Sequence, residues 1–276
     1  MAILIDQHVH SNVSHDGKST YQEHMKYAHQ NGIDEITFTE HYDDYKEIVT
    51  PLKILDVKKY RDAYLAAKDD EYVRTNYGIE IGLRPKCHKN ITEMVANNKF
   101  DFIIGSSHIT CDKDMAYDKS FFEGLTPHQA IFNYLSEVFV NIQMYNDEFD
   151  VYGHLDYVIR YVLKNYGEVM SRIEYDEFRD LLDAIFQRLV MKDKGLEINT
   201  SGLRYGLGSP HPNLDILKRF KELGGKILTV GSDAHVAKDL GSYFGEAYEL
   251  AEAAGFDEIA VFHDRVPEFK KIRSLK

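Results

Sequence analysis

At 276 residues, with 43% hydrophobic and 28% charged residues, the chain has the apolar material for a core and a length that one α/β barrel would use almost whole; the composition of disorder is excluded. A net charge of -12 argues against a surface built to hold long nucleic acid, so no nucleic-acid partner is expected, and a small anionic substrate would need a locally positive site. Two cysteines, Cys87 and Cys111, exclude a disulfide framework; no apolar run approaches the roughly 20 residues of a membrane span and the start lacks a basic signal segment, so a cytoplasmic protein with no membrane partner is expected.

In chain order, short apolar runs predict strands at residues 3–5, 35–38, 77–81, 102–105, 151–153, 196–198 and 227–230, separated by longer stretches of helical period. Thr20 with Glu23 reads as a capping box opening a helix that Gly32 closes. Thr126-Pro127-His128-Gln129 is a second box, with proline at the first helical position. Residues 175–194 carry Phe178, Leu181, Leu182, Ile185, Phe186 and Leu189 at helical spacing, with Gly195 as the expected stop. Leu214, Leu217, Phe220 and Leu223 repeat the pattern before Gly224-Gly225. This alternation predicts parallel strands joined by crossover helices, as a barrel or an open sheet, and the absence of a linker or composition shift predicts one domain over 1–276.

Chemistry-bearing residues follow the predicted strands: Asp6-Gln-His8-Val-His10, Thr39-Glu-His41, Glu80, Ser106-Ser-His108, Gly153-His154 and Gly231-Ser-Asp233-Ala-His235. In parallel α/β folds the carboxyl ends of the strands open into one mouth, so six separate ends would deliver metal-type ligands to one place. In His8-x-His10 and Asp233-x-His235, residues two apart on an extended segment point to the same side and can chelate. His24, His29, His88, His128, His211 and His263 are read as ordinary surface or core histidines, and His15 stays open beside Asp16. Imidazole with carboxylate suits Zn, Mn, Fe or a mixture, and so many ligands would serve three divalent ions. Such ions outweigh Asp16, Glu80 and Asp233, attract a phosphate, lower the pKa of bound water and polarise phosphoryl oxygens, making a Ser or Cys nucleophile unnecessary.

These motifs, with Ser14-His-Asp16-Gly17 and Gly153-His154-Leu-Asp156, resemble those of the polymerase and histidinol phosphatase (PHP) family, and within it the stand-alone L-histidinol-phosphate phosphatases, essentially end to end. The resemblance implies a distorted seven-stranded (β/α) barrel with a trinuclear centre at its carboxyl mouth. It implies one ion held by His8, His10, Glu80 and Asp233, with Glu80 bridging, a second by Asp16, His41 and His235, and a third by Glu80, His108 and His154. Asp16 is chosen over His15 because it keeps the family's register. Arg160 and Arg204, beside the motifs, are expected to clamp phosphate. The loop after His108 offers Asp112, Asp114, Tyr117 and Asp118 to the rest of the substrate.

The expected activity is hydrolysis of L-histidinol phosphate to L-histidinol and inorganic phosphate in histidine biosynthesis, with Asp233, His235 or a metal-bound water protonating the leaving group. The alternatives are a family phosphodiesterase or nucleotide phosphatase, which would want a basic or aromatic platform, and a non-catalytic interaction module, which would have lost ligands.

Overall fold

The computed structural model describes residues 4–44, 54–68, 72–145, 147–167 and 172–272. Eleven strands are found among them. β1 (Leu4–Val9), β2 (Ile33–Tyr42), β3 (Arg74–Gly82) and β4 (Phe102–Ser106) are followed by a small hairpin of β5 (Ile109–Thr110) and β6 (Lys113–Asp114). Then come β7 (Val151–Tyr152), β8 (Gly195–Asn199), β9 (Leu228–Gly231) and an antiparallel pair, β10 (Glu258–His263) with β11 (Val266–Lys271). β1, β2, β3, β4, β7, β8 and β9 form one parallel sheet in sequence order. All seven expected strands are present; Ile3 of the first lies outside the described residues.

The sheet curls until its edges meet. Asp233 N donates to the His8 carbonyl at 2.8 Å and His10 N to the Ala234 carbonyl at 2.9 Å, a parallel bridge between the end of β1 and the turn after β9. The result is a nearly closed seven-stranded barrel. The buried Asp6 carboxylate fastens the seam from outside, accepting from the backbone and hydroxyl of Ser232 and from Gly241 N.

Register decides what faces inward. His41, Glu80 and Ile104 are neighbours on successive strands, Ile104 pairs with Val151, and Val151 with Gly195, so these positions share the inner face. Asp6 pairs with Ile36 but Val9 with Phe38, leaving one extra residue on β1. This bulge turns Gln7 and His8 inward between outward Asp6 and Val9. Gln7 then donates to the Ala260 carbonyl at 2.7 Å and accepts from Phe262 N at 3.0 Å, drawing β10 across the barrel floor. There Ala260 and Phe262 pack with Phe102, Ile104 and Val151.

The helices are α1 (Tyr21–Asn31), α2 (Val57–Ala67), α3 (His88–Ala96), α4 (Pro127–Met144), α5 (Val158–Tyr166), α6 (Arg179–Met191), α7 (Ser201–Arg204), α8 (Leu214–Glu222) and α9 (Phe244–Ala253); they cover the outer face, apart from the single turn α7, which follows β8 at the mouth. Both expected capping boxes are formed, and Gly32 ends α1 at φ +70°. Tyr21, Met25 and Ala28 of α1, and Ile131, Tyr134 and Val138 of α4, belong to the main core between helices and sheet. The long helix expected over 175–194 is shorter, a 3-10 turn at Tyr175–Glu177 preceding α6. Gly195 is not its stop. It opens β8, where a Cβ would come within 2.4 Å of Ile227 Cγ2, so glycine is required by strand packing.

Candidate metal centre

Six strands deliver the candidate ligands to one mouth, as the sequence predicts. His8 lies in β1 with His10 just beyond it, His41 and Glu80 sit near the ends of β2 and β3, and His108, His154 and Asp233 each stand two residues past β4, β7 and β9. His235 follows two further on, and Asp16 enters from the loop after β1.

The side chains fall into three groups. His8 Nε2 and His10 Nε2 are 3.0 Å apart; both lie 3.4–3.5 Å from Glu80 Oε2 and 3.5–3.8 Å from Asp233 Oδ1. His235 Nε2 is 3.1 Å from Asp16 Oδ2 and 3.4 Å from His41 Nε2, which is 3.6 Å from Asp16 Oδ1. Glu80 Oε1 is 3.2 Å from His108 Nε2 and 2.9 Å from His154 Nε2. The two oxygens of Glu80 therefore face different groups, the disposition a bridging carboxylate needs.

The donor set fits divalent ions on two grounds. Ligands about 2.0–2.1 Å from a tetrahedral ion stand roughly 3.3 Å from one another, the spacing seen within each group. Among the described residues, moreover, Glu80 Oε2 and Asp16 Oδ1 are buried without a properly oriented hydrogen bond although ring nitrogens surround them.

Electrostatics agree. Burial raises the carboxyls of Glu80 and Asp233, but the imidazoles beside them, His8 first in each case, outweigh it and hold both well below the usual carboxylate range. Burial likewise drives His10 and His154 down, leaving neutral rings with a lone pair to offer. For His108 burial is outweighed by Glu80 and Asp43, and the ring is pushed up to about 10. The carboxylates stay ionised, and divalent cations would supply the positive charge they call for.

Two carboxylates missing from the sequence reading stand behind these rings. Asp43 Oδ1 lies 3.3 Å from His108 Nδ1, and His41, Asp43 and His108 form a further group able to hold an ion. Glu197, inside β8, lies 2.6 Å from His8 Nδ1. Asp43 was findable, since His41-x-Asp43 has the spacing of the other chelating pairs. Glu197 carried a different signal: a carboxylate between Leu196 and Ile198 in a buried strand needs a partner.

A cavity of about 460 Å³ opens beside the cluster. Arg160, on α5, lines it, with its guanidinium 3.6 Å from the Tyr205 ring centroid and 4.9 Å from that of Tyr157. Its Nη2 donates to Ser201 Oγ at 2.9 Å and stands 4.0 Å from Asp233 Oδ2. Arg204 sits behind Asp233, donating to its backbone carbonyl at 2.8 Å, and is not among the lining residues, though its buried Nη1 has no hydrogen-bond partner among the described residues. Asp114 and Tyr117 line the cavity, whereas Asp112 pairs with Arg84 and Lys86, and Asp118 caps a 3-10 turn.

The histidines read as ordinary lie outside the cluster. His24 reaches the His10 carbonyl at 3.2 Å, His211 pairs with Asp156, and His263 with Glu35. His128 stacks on Phe178, and the rings of His29 and His88 lie tilted against those of Tyr72 and Tyr145. His15 lies on the cavity wall, 4.0 Å from Asp16.

The model of the PHP domain matches residues 6–201. The chain belongs to the PHP family. Among the relatives of this PHP protein, the histidinol-phosphatase of Lactococcus lactis subsp. lactis is 32% identical over 267 residues, 94% of each chain. A "Probable histidinol-phosphatase" of Thermotoga maritima is 29% identical over 260 residues, 94% of this chain and 95% of that one. The crystal structure of the Lactococcus lactis histidinol phosphate phosphatase complexed with zinc, L-histidinol and phosphate superposes with a TM-score of 0.81 at 30% identity, covering 97% of this chain and all of that one. Among the described residues of this chain, no helix is long and apolar enough to cross a membrane.

Proposed function

We propose that this PHP protein, acting as one domain over residues 1–276, hydrolyses L-histidinol phosphate to L-histidinol and inorganic phosphate, the dephosphorylation step of histidine biosynthesis. The observation that carries the reading is Arg160, a guanidinium held between two tyrosines at the edge of the ligand cluster, in a cavity sized for a small monoester. The zinc, L-histidinol and phosphate in the Lactococcus structure support it.

Three divalent ions would be held by His8, His10, Glu80 and Asp233, by Asp16, His41 and His235, and by Glu80, His108 and His154, with Zn, Mn and Fe all compatible with the donors. Bound there, they lower the pKa of water towards neutrality and polarise phosphoryl oxygens. Arg160 binds the phosphate oxygens and orients phosphorus, its planar fork already fixed by Ser201 and the tyrosines; Arg204, whose Nη1 has no hydrogen-bond partner among the described residues, supports it through Asp233. Water attacking phosphorus in line loses a proton and the departing alkoxide gains one. We route that transfer through Asp233 and His235, whose Oδ1 and Nδ1 lie 3.5 Å apart. Asp114 and Tyr117, which line the same cavity as Arg160, would face the organic part of the substrate.

The test is phosphate release from L-histidinol phosphate beside a panel of other monoesters and one diester, with the protein loaded with Zn or Mn. A kcat/KM preference of several orders of magnitude for L-histidinol phosphate is expected. Preference for a nucleotide or diester would sink the biosynthetic assignment, and no turnover of any ester would sink the catalytic one.

A further inference from the structure

The fully buried carboxylate of Glu197 touches two of the three ligand groups without belonging to either. Its Oε1 lies 2.6 Å from His8 Nδ1, the ring nitrogen turned away from the cluster, while His8 Nε2 faces His10 and Glu80. Its Oε2 accepts from the backbone N–H of His154 at 3.0 Å and from Asn199 Nδ2 at 3.1 Å. His154 is held at φ +23°, a conformation that side-chain-bearing residues rarely adopt and that persists only when the surroundings fix it. Space for the carboxylate is reserved by two motif glycines. A Cβ on Gly231 would come within 2.6 Å of Glu197 Oε1, and one on Gly153 within 3.3 Å of Oε2.

We propose that Glu197 is a positioning residue that ties the first and third ligand groups together, fixing the His8 ring with its proton on Nδ1 and pinning the strained backbone of His154. This rests on the reading of the cluster as a metal centre and adds to it a residue that touches neither ion nor substrate. The physical reason is tautomer choice. A neutral imidazole ligates only through its unprotonated nitrogen, and a carboxylate accepting from Nδ1–H leaves Nε2 bare towards the cluster. Glu197 Oε2 accepts from two N–H donors, and Oε1 faces His8 Nδ1, which donates to it in the proposed tautomer. A glutamine can accept at only one of these two positions. With His154 N–H and Asn199 holding its oxygen on the Oε2 side, its NH₂ would face His8 and favour the tautomer that carries a proton on Nε2.

Glu197→Gln is therefore compared with the wild-type full chain, metal-stripped and titrated with zinc against a chromophoric chelator, with metal analysis for stoichiometry and circular dichroism for folding. Expected is a variant that melts cooperatively and binds zinc about 10- to 100-fold more weakly, the usual cost of losing an outer partner of a ligating histidine. A second measurement needs no variant. In long-range ¹H–¹⁵N spectra of the zinc-loaded wild-type protein, His8 is expected as the Nδ1–H tautomer, and this decides the matter if the variant does not fold. Zinc binding equal in number and affinity in both proteins, or His8 protonated on Nε2, overturns the role of Glu197 while leaving the metal centre intact. A wild-type protein that takes up no zinc overturns both.

Discussion

Arg160 shows how much of the site depends on shape rather than charge. Its guanidinium stands over the Tyr205 ring at 3.6 Å and the Tyr157 ring at 4.9 Å and donates through Nη2 to Ser201. A lysine would keep the charge but lose the fork and the stacking. Arg160→Lys is expected to lower kcat/KM for the preferred phosphomonoester about 100-fold, on the order of 3 kcal/mol of lost transition-state binding, with the melting temperature little changed. Steady-state rates of the two proteins check it, and a variant within threefold of wild type would remove the clamp assignment. At this scale the sequence was most legible where ligands recur two apart after a strand. It was least legible for groups acting through others. Within its own strand Glu197 is paired only with Asn199, an amide rather than a metal-type ligand, and its contacts with His8 and His154 span 189 and 43 residues.

Elements were readable where local chemistry decides them. Thr126 Oγ1 accepts from Gln129 N, and Gln129 Oε1 accepts from Thr126 N, so α4 begins where its own side chains satisfy its free donors. Thr126→Ala is expected to cost about 1 kcal/mol, or about 2–4 °C in melting temperature, with turnover unchanged because the cap is exposed and remote from the cavity. Thermal unfolding beside a rate measurement tests both halves of that statement. Elements decided by distant packing were harder. The β10–β11 hairpin turns through Asp264 and Arg265, both at positive φ with no glycine to mark the turn, and β10 finds its place through Gln7, more than 250 residues away. Gly195 reads locally as a helix stop because the side chain it must avoid, Ile227, belongs to the neighbouring stretch of the sheet.

On the scale of the whole molecule, the ligand cluster sits on the barrel's seam. β1 and β9 are joined directly by few bonds, those around His8, His10, Asp233 and Ala234, and these are the segments that carry four of the candidate ligands. Ions bound by His8, His10, Asp233 and His235 would thus cross-link the first and last strands of the sheet as well as serve the reaction. Such ligands are dispersed in the unfolded chain, so binding free energy becomes folding free energy. At a free-ion concentration about 100 times the dissociation constant a single site adds about 2.7 kcal/mol, which for a chain of this size is on the order of 5–10 °C in melting temperature. Stripping the protein with a chelator is therefore expected to lower its unfolding temperature by at least that amount, and titrating zinc or manganese back should restore it in a concentration-dependent way. Calorimetry of stripped and reloaded protein makes the comparison. An unfolding temperature indifferent to both treatments would mean that the imidazoles and carboxylates close the seam by themselves, and the metal would then have no part in holding the barrel shut.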